Sequence, residues 1–219
     1  LGGADPTRFV LPEIPDLSVL NLLRVAVIGA AAALSGILFC ISLKRSANFF
    51  SGKIKNYYLR PVLGGIIILA MTLILRTTDY NGSGMDVIIR ATEGGTVVPY
   101  AFLLKIIFTA VTIGSGFRGG EIVPTMFIGA TLGCTAAALL GLPPSFGAAL
   151  GIASMFCAVV NCPMASICLA SELFGGIGCC YFAAAIGISY VLSGYYGLYS
   201  SQKIMYSKLH AEYINRNVN

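Results

Sequence analysis

The residues best suited to chemistry lie in one stretch, Gly114-Ser115-Gly116-Phe117-Arg118-Gly119-Gly120-Glu121-Ile122-Val123-Pro124, which runs straight into Thr125-Met126-Phe127-Ile128-Gly129. It is a glycine-rich turn carrying one arginine and one glutamate between two apolar spans. Glycine lets the backbone approach a bound ion and take turn conformations that other residues resist. The first turn of the following helix presents N–H groups without intrahelical partners, at the positive end of the macrodipole. Such a terminus suits an anion. At membrane depth, a helix broken in this way is how transporters hold an ion. The chemistry on offer is reversible anion binding by backbone amides beside an acid.

Other candidates offer less. The chain has one histidine, His210, far from any nucleophile elbow, so Ser/His/Asp catalysis has no support. Gly82-Ser83-Gly84 is followed by no Walker-type lysine, which argues against ATP binding. The seven cysteines (Cys40, Cys134, Cys157, Cys162, Cys168, Cys179 and Cys180) lie in or beside apolar spans and form no C-x-x-C pair. A zinc site or disulfide framework does not fit them, whereas small apolar packing residues do. No cofactor or metal is expected. Lys105, inside an apolar span, is costly in lipid and should face the protein interior or snorkel. Glu172, near a helix end, is read as structural or at the membrane edge, with a proton relay as the alternative.

The elements that must position the turn follow from composition. Of 219 residues, 57% are hydrophobic and 11% charged, against roughly 25% charged in soluble domains. Mean hydropathy is +0.84. This is a membrane protein composition. The net charge of +5 is spread over loops and the C-terminal end, with no basic stripe for nucleic acid. The chain opens at Leu1 in a Pro-rich polar stretch without signal-peptide character, and a fragment of a longer chain is expected.

Three regions are predicted: an extended lead-in over 1–16, a transmembrane helical region over 17–194, and a tyrosine motif with a polar C-terminal helix over 195–219. Pro6, Pro12 and Pro15 keep the lead-in from being helical. Spans are predicted at 17–43, 61–75, 98–113, 122–140, 146–160, 164–174 and 179–192, with a short helix at 85–92. Lys44, Arg45, Lys53, Lys55 and Arg60 form a basic loop after the first, cytoplasmic by the positive-inside rule. The polar helix runs to about Arg216. Several spans fall short of the roughly 20 residues of a perpendicular crossing. Short, Gly/Pro-interrupted helices of this kind must be buried in protein or line water.

With these motifs in order, the sequence resembles the CLC family of chloride channels and chloride/proton antiporters, over the C-terminal half of its membrane domain. Ser115 through Pro124 stands where the family has a Gly-x-Phe-x-Pro signature after a Ser-Gly-rich lead-in. Asn161-Cys162-Pro163-Met164 through Ala170-Ser171-Glu172-Leu173 looks like the family helix that starts near a proline and ends in an acid. Gly197-Leu198-Tyr199-Ser200 looks like the motif whose tyrosine faces the central anion.

The resemblance implies an all-α membrane fold of short, broken, tilted helices, one half of an inverted repeat, in a homodimer with one pore per subunit. It implies an anion held against Gly120, Glu121 and Ile122, with the Glu121 and Ile122 N–H groups pointing at it. The Tyr199 hydroxyl would donate from the other side. Neutral donors stabilise an anion yet let it leave. Two positions depart from the pattern. Ile122 replaces the signature phenylalanine, at little cost because the amide donates. Glu121 stands where an apolar residue is usual, so it is expected to hold its proton tightly or to carry one. A glutamate there resembles the fluoride-exporting branch, which couples fluoride efflux to proton entry. The alternative is a salt bridge to Arg118.

The expected function is halide transport, chloride or fluoride, across a prokaryotic inner membrane, by antiport with protons. Its partners would be the halide, protons, the bilayer, a second copy and the N-terminal half of the same protein, which holds the family's gating glutamate and serine loop. No nucleic acid is expected. The rivals are a passive chloride channel of the same fold and a non-transporting membrane scaffold.

Overall fold

A computed structural model describes residues 9, 13–94, 96–199, 201–210 and 212–218. Pro6 and Pro12 of the lead-in, Gly95 and Ser200 lie outside the described residues. The order of elements is α1 (Val19–Lys53), α2 (Leu59–Leu75), α3 (Met85–Thr92), α4 (Ala101–Gly114), α5 (Ile122–Leu140), α6 (Pro144–Val160), α7 (Pro163–Phe174), α8 (Cys179–Leu192), β1 (Lys203–Tyr206) and β2 (Tyr213–Asn217).

The helix limits follow from local chemistry. Pro144 and Pro163 stand in the first turns of α6 and α7, where a missing N–H costs nothing. Arg76, Gly141, Asn161 and Gly175 end α2, α5, α6 and α7 in the left-handed conformation. Among the described residues, α1 and α5 are long and apolar enough to cross a membrane, while α2, α4, α6, α7 and α8 are shorter apolar helices.

The centre is an antiparallel pair, α5 and α6, joined by the tight turn at Gly141. Gly129 faces Gly151 and Gly133 faces Gly147 so closely that a Cβ on any of them would strike backbone of the other helix. Small residues four apart are the usual means of bringing helix backbones together in a bilayer. Residues of α6 from Ser145 to Val159 are buried almost throughout, so this helix is apolar on every side. Around the pair, α1 packs against α4, α5, α6 and α8, α3 rests on α5 and α6, and α7 bridges α6 and α8. Phe146, Phe174, Tyr181 and Phe182 form an aromatic knot, with Phe174 and Phe182 stacked at 5.7 Å. Phe9 of the lead-in adds to it, bonding Leu173 O through its N–H at 2.9 Å.

Two expectations are corrected. The first helix continues through Lys44 and Arg45 to Lys53, so the basic segment is largely helical rather than a loop. From Leu43 to Ser51 the sequence has no glycine or proline to stop it, and a helix needs no apolar sequence once it leaves the hydrocarbon. The polar C-terminal helix to Arg216 does not form. In its place β1 and β2 pair antiparallel, with Lys203 opposite Asn217, Ile204 opposite Arg216 and Tyr206 opposite Tyr213. Ile204, Tyr206, Tyr213 and Ile214 are β-branched or aromatic, and the Tyr206 and Tyr213 rings meet edge-on at 5.7 Å.

Candidate functional site

The glycine-rich turn is built by what surrounds its entrance. Ser115 is fully buried and its hydroxyl donates to Thr112 O at 3.0 Å. On either side, α1 approaches at Ser46 against Gly114, and α2 approaches at Gly64 against Ser115. Gly116, at φ +99, then turns the chain into a conformation that an L side chain resists. Residues 116–120 are exposed in this chain, and Glu121 is half-buried at the N-cap of α5.

Thr125 closes the first helical turn by donating both its N–H and its hydroxyl to Glu121 O, at 3.1 and 2.8 Å. The Gly120, Glu121 and Ile122 N–H groups meet no acceptor among the described residues, and the Glu121 carboxylate makes no cap bond. Arg118 does not pair with it. Among the described residues the ion pair present is Arg90 to Asp79, at 3.0 Å and largely exposed. Three amides and one carboxylate are thus presented together without internal partners.

Tyr199 reaches the same end of the molecule through α6. The glycine contacts pair 129 with 151 and 133 with 147, a register that brings Ile122 level with Ala158. Next to Ala158, Val159 O accepts the Leu198 N–H at 3.0 Å. Leu198 and Tyr196 pack on the cluster of Phe39, Cys40, Ile128, Met155 and Val159, as does Ile113 just before the turn. The start of α5 and the tyrosine segment therefore flank one apolar cluster. Tyr199 itself is 45% exposed and its hydroxyl has no partner among the described residues.

Other residues singled out above find plainer roles. Lys105 is 1% exposed and donates to Tyr80 O and Gly82 O, at 3.1 and 2.8 Å, with the Phe127 ring 4.8 Å away. It faces the interior and ties α4 to the turn before α3. Beside it a cavity of about 540 Å³ runs behind the glycine-rich turn, bordered by Phe117, Gly119, Gly120 and Val123. Glu172 and His210 are exposed. Cys40, Cys134 and Cys157 are buried in the apolar clusters. Among the described residues no group of side chains suits a metal.

Sequence reasoning missed Asn161 and Lys208. Asn161 was legible as a helix break before Pro163, yet its side chain also donates to Tyr196 O at 2.8 Å. Lys208 reads as one more basic residue near the end, and only the hairpin shows where it goes.

Short apolar helices around a broken span, with unpaired amides at the break, define a polytopic membrane fold of interrupted helices. A family model described as "Voltage gated chloride channel" matches residues 2–194, and the chain belongs to that family. It is 33% identical over 214 residues to a protein of Pseudomonas syringae pv. tomato named "Chloride/fluoride channel protein", covering 95% of this chain and 47% of that one. It is 27% identical over 173 residues to a "H(+)/Cl(-) exchange transporter" of Vibrio cholerae, covering 74% of this chain and 36% of that one. The crystal structure of a CLC-type fluoride/proton antiporter superposes with a TM-score of 0.83 at 30% identity, over 87% of this chain and 48% of the other. The chain spans between about a third and a half of the length of these relatives.

Proposed function

We propose that this chain is the C-terminal half of a halide transporter that exchanges the anion for protons across the cell (inner) membrane. The anion binds against the Gly120, Glu121 and Ile122 backbone and takes a hydrogen bond from the Tyr199 hydroxyl. The observation that carries this reading is the set of unpartnered N–H groups at the start of α5, level with the segment that bears Tyr199. Unpaired amides at membrane depth are stable only where a ligand or water meets them. The proposed ligands are backbone dipoles and a neutral hydroxyl, so the anion is held without a charged ligand and can leave.

Glu121 makes no salt bridge among the described residues, which speaks against the ion pair with Arg118 and supports a proton-carrying role for it. Anion and proton then move in opposite directions, so each exchange carries net charge across the membrane. The relatives' names include both chloride and fluoride, and the glutamate at 121 favours fluoride as the transported ion. A homodimer would cover outward apolar residues of α7 and the α7–α8 turn, such as Met164 and Ile177, which are 70% and 67% exposed.

The test is fluoride and chloride efflux from liposomes carrying the full-length protein, with pH followed alongside. Fluoride efflux faster than chloride, with protons moving oppositely, is expected. Glu121→Gln should keep anion flux and lose the proton movement. Chloride efflux at least as fast as fluoride, with no proton movement, would return the protein to a passive channel.

A further inference from the structure

The segment 195–199 has no regular secondary structure, so the position of Tyr199 is set from outside it. Three ties do this, and all end at the C-terminus of α6. Leu198 N–H donates to Val159 O, Asn161 Nδ2 donates to Tyr196 O, and Gln202 Nε2 donates to Val160 O, at 3.0, 2.8 and 3.0 Å. Gly197 lies so near Asn161 and Val218 that a Cβ there would come within 2.8 Å of Nδ2 and 2.7 Å of Cγ1.

Lys208 enters this junction from the segment linking β1 to β2. Its Nζ donates to Asn161 Oδ1, to Tyr190 O at 2.8 Å and to Ser193 Oγ at 3.0 Å, and it sits 4.2 Å over the Tyr190 ring. An ammonium has three donors, and all three are used. Tyr190 is in the last turn of α8, Ser193 is its C-cap, and Asn161 is the C-cap of α6. One cation thus joins the negative ends of two helices, where a positive charge is favoured. It also grips the oxygen of the same amide whose nitrogen holds Tyr196.

We propose that Lys208 is a positioning residue for Tyr199: by tying Asn161 to the end of α8, it fixes the 195–199 segment and so the place of the tyrosine hydroxyl. The mechanical part stands on these contacts, and the consequence for anion binding rests on the reading of Tyr199 given above. The hairpin is then a brace for the site.

The experiment uses the full-length protein, with Lys208→Met, Lys208→Arg, Tyr199→Phe and the Lys208→Met/Tyr199→Phe double variant. Amide hydrogen exchange at Leu198 and Gln202 and fluoride affinity by calorimetry are measured for each. Lys208→Met should speed exchange at Leu198 and weaken fluoride binding by about tenfold each, the size of one lost charge-assisted hydrogen bond. Lys208→Arg should recover part of both. In the Tyr199→Phe background, Lys208→Met should still speed exchange but cost no further affinity, since coupled residues are not additive. Unchanged exchange at Leu198 and Gln202, or affinity losses that add in full, would overturn the proposal. If Tyr199→Phe alone leaves affinity intact, it is the anion-ligand reading that fails, and the exchange rates alone decide the positioning role. Should Lys208→Met not fold, Ser193→Ala removes one of the three acceptors, and the same criteria apply with smaller changes.

Discussion

Single residues show how this chain reconciles polar groups with an apolar interior. Lys105 saturates two carbonyls of the turn before α3, so its methylenes are buried while its charge is met by oxygen. Lys105→Met should leave both carbonyls unpaired and lower stability by about 1–3 kcal/mol, seen as an earlier thermal transition in detergent. Lys208 allows a pH test. Burial outweighs the attraction of the two helix ends and lowers its pKa from the ordinary 10.5 to about 8. The titratable groups that face it are the Cys157 thiol and the Tyr190 phenol, neither of them a carboxylate. A hairpin that lets go carries an ordinary lysine and holds more protons between about pH 8 and 10.5. Docking should therefore strengthen as pH rises through that window and stay flat below it. The protection factor at Leu198 from about pH 7 to about pH 9.5 checks the sign, and a fall above pH 8 would show that docking prefers the charged form. The three contacts survive deprotonation because the Ser193 hydroxyl can turn and donate to the neutral amine.

Elements were legible wherever a backbone signal and a hydropathy change coincide. Gly141 with Pro143, Asn161 with Pro163, and Gly175 with Gly176 mark helix ends that the structure places there. The glycine-rich turn was legible for the same reason, since Gly116, Gly119 and Gly120 interrupt two apolar runs. The end of α1 was not, because a helix leaving the membrane changes composition without changing backbone. The hairpin was not either: Lys203, Lys208 and Arg216 suggest a solvated helix face, and the strand signal of Ile204 and Tyr206 spans only 4 residues. The Asn161–Lys208 contact joins positions far apart in sequence and has no local signature. At this scale the glycine seam is the sharpest target. Gly133→Ala puts a methyl against the Gly147 carbonyl and should destabilise the α5–α6 pair by about 1–3 kcal/mol, read as a lower aggregation temperature than that of a Gly52→Ala control, where a Cβ meets nothing within 4 Å.

The whole molecule presents more apolar surface than its own core needs. One whole side of α2 is uncovered, with Ile66, Leu69, Leu73 and Ile74 between 57% and 79% exposed. Lipid can cover part of such a surface, but the glycine-rich turn beside it is exposed as well and carries polar backbone that lipid cannot satisfy. A second protein surface fits this better, in keeping with a chain about half as long as its relatives. Liposomes loaded with this chain alone should show no halide flux, and co-reconstitution with the remaining half of the protein should restore it. Flux from this chain alone would show that the site is complete without the other half.

The glycine seam has a further consequence, for motion. Backbones in contact at four glycines cannot slide past one another without collision, so α5 and α6 are expected to move together as one body. Glu121 rides on the start of that body, and the segment bearing Tyr199 is bonded to the C-terminal end of α6 beside it, through Leu198 to Val159 and Tyr196 to Asn161. The two sides of the proposed site then keep a constant gap through any transport cycle, like the jaws of a fixed gauge. Selection among halides of different radius would be made by that gap, and the hinge of the cycle must lie elsewhere, between this body and the helices that slide past it.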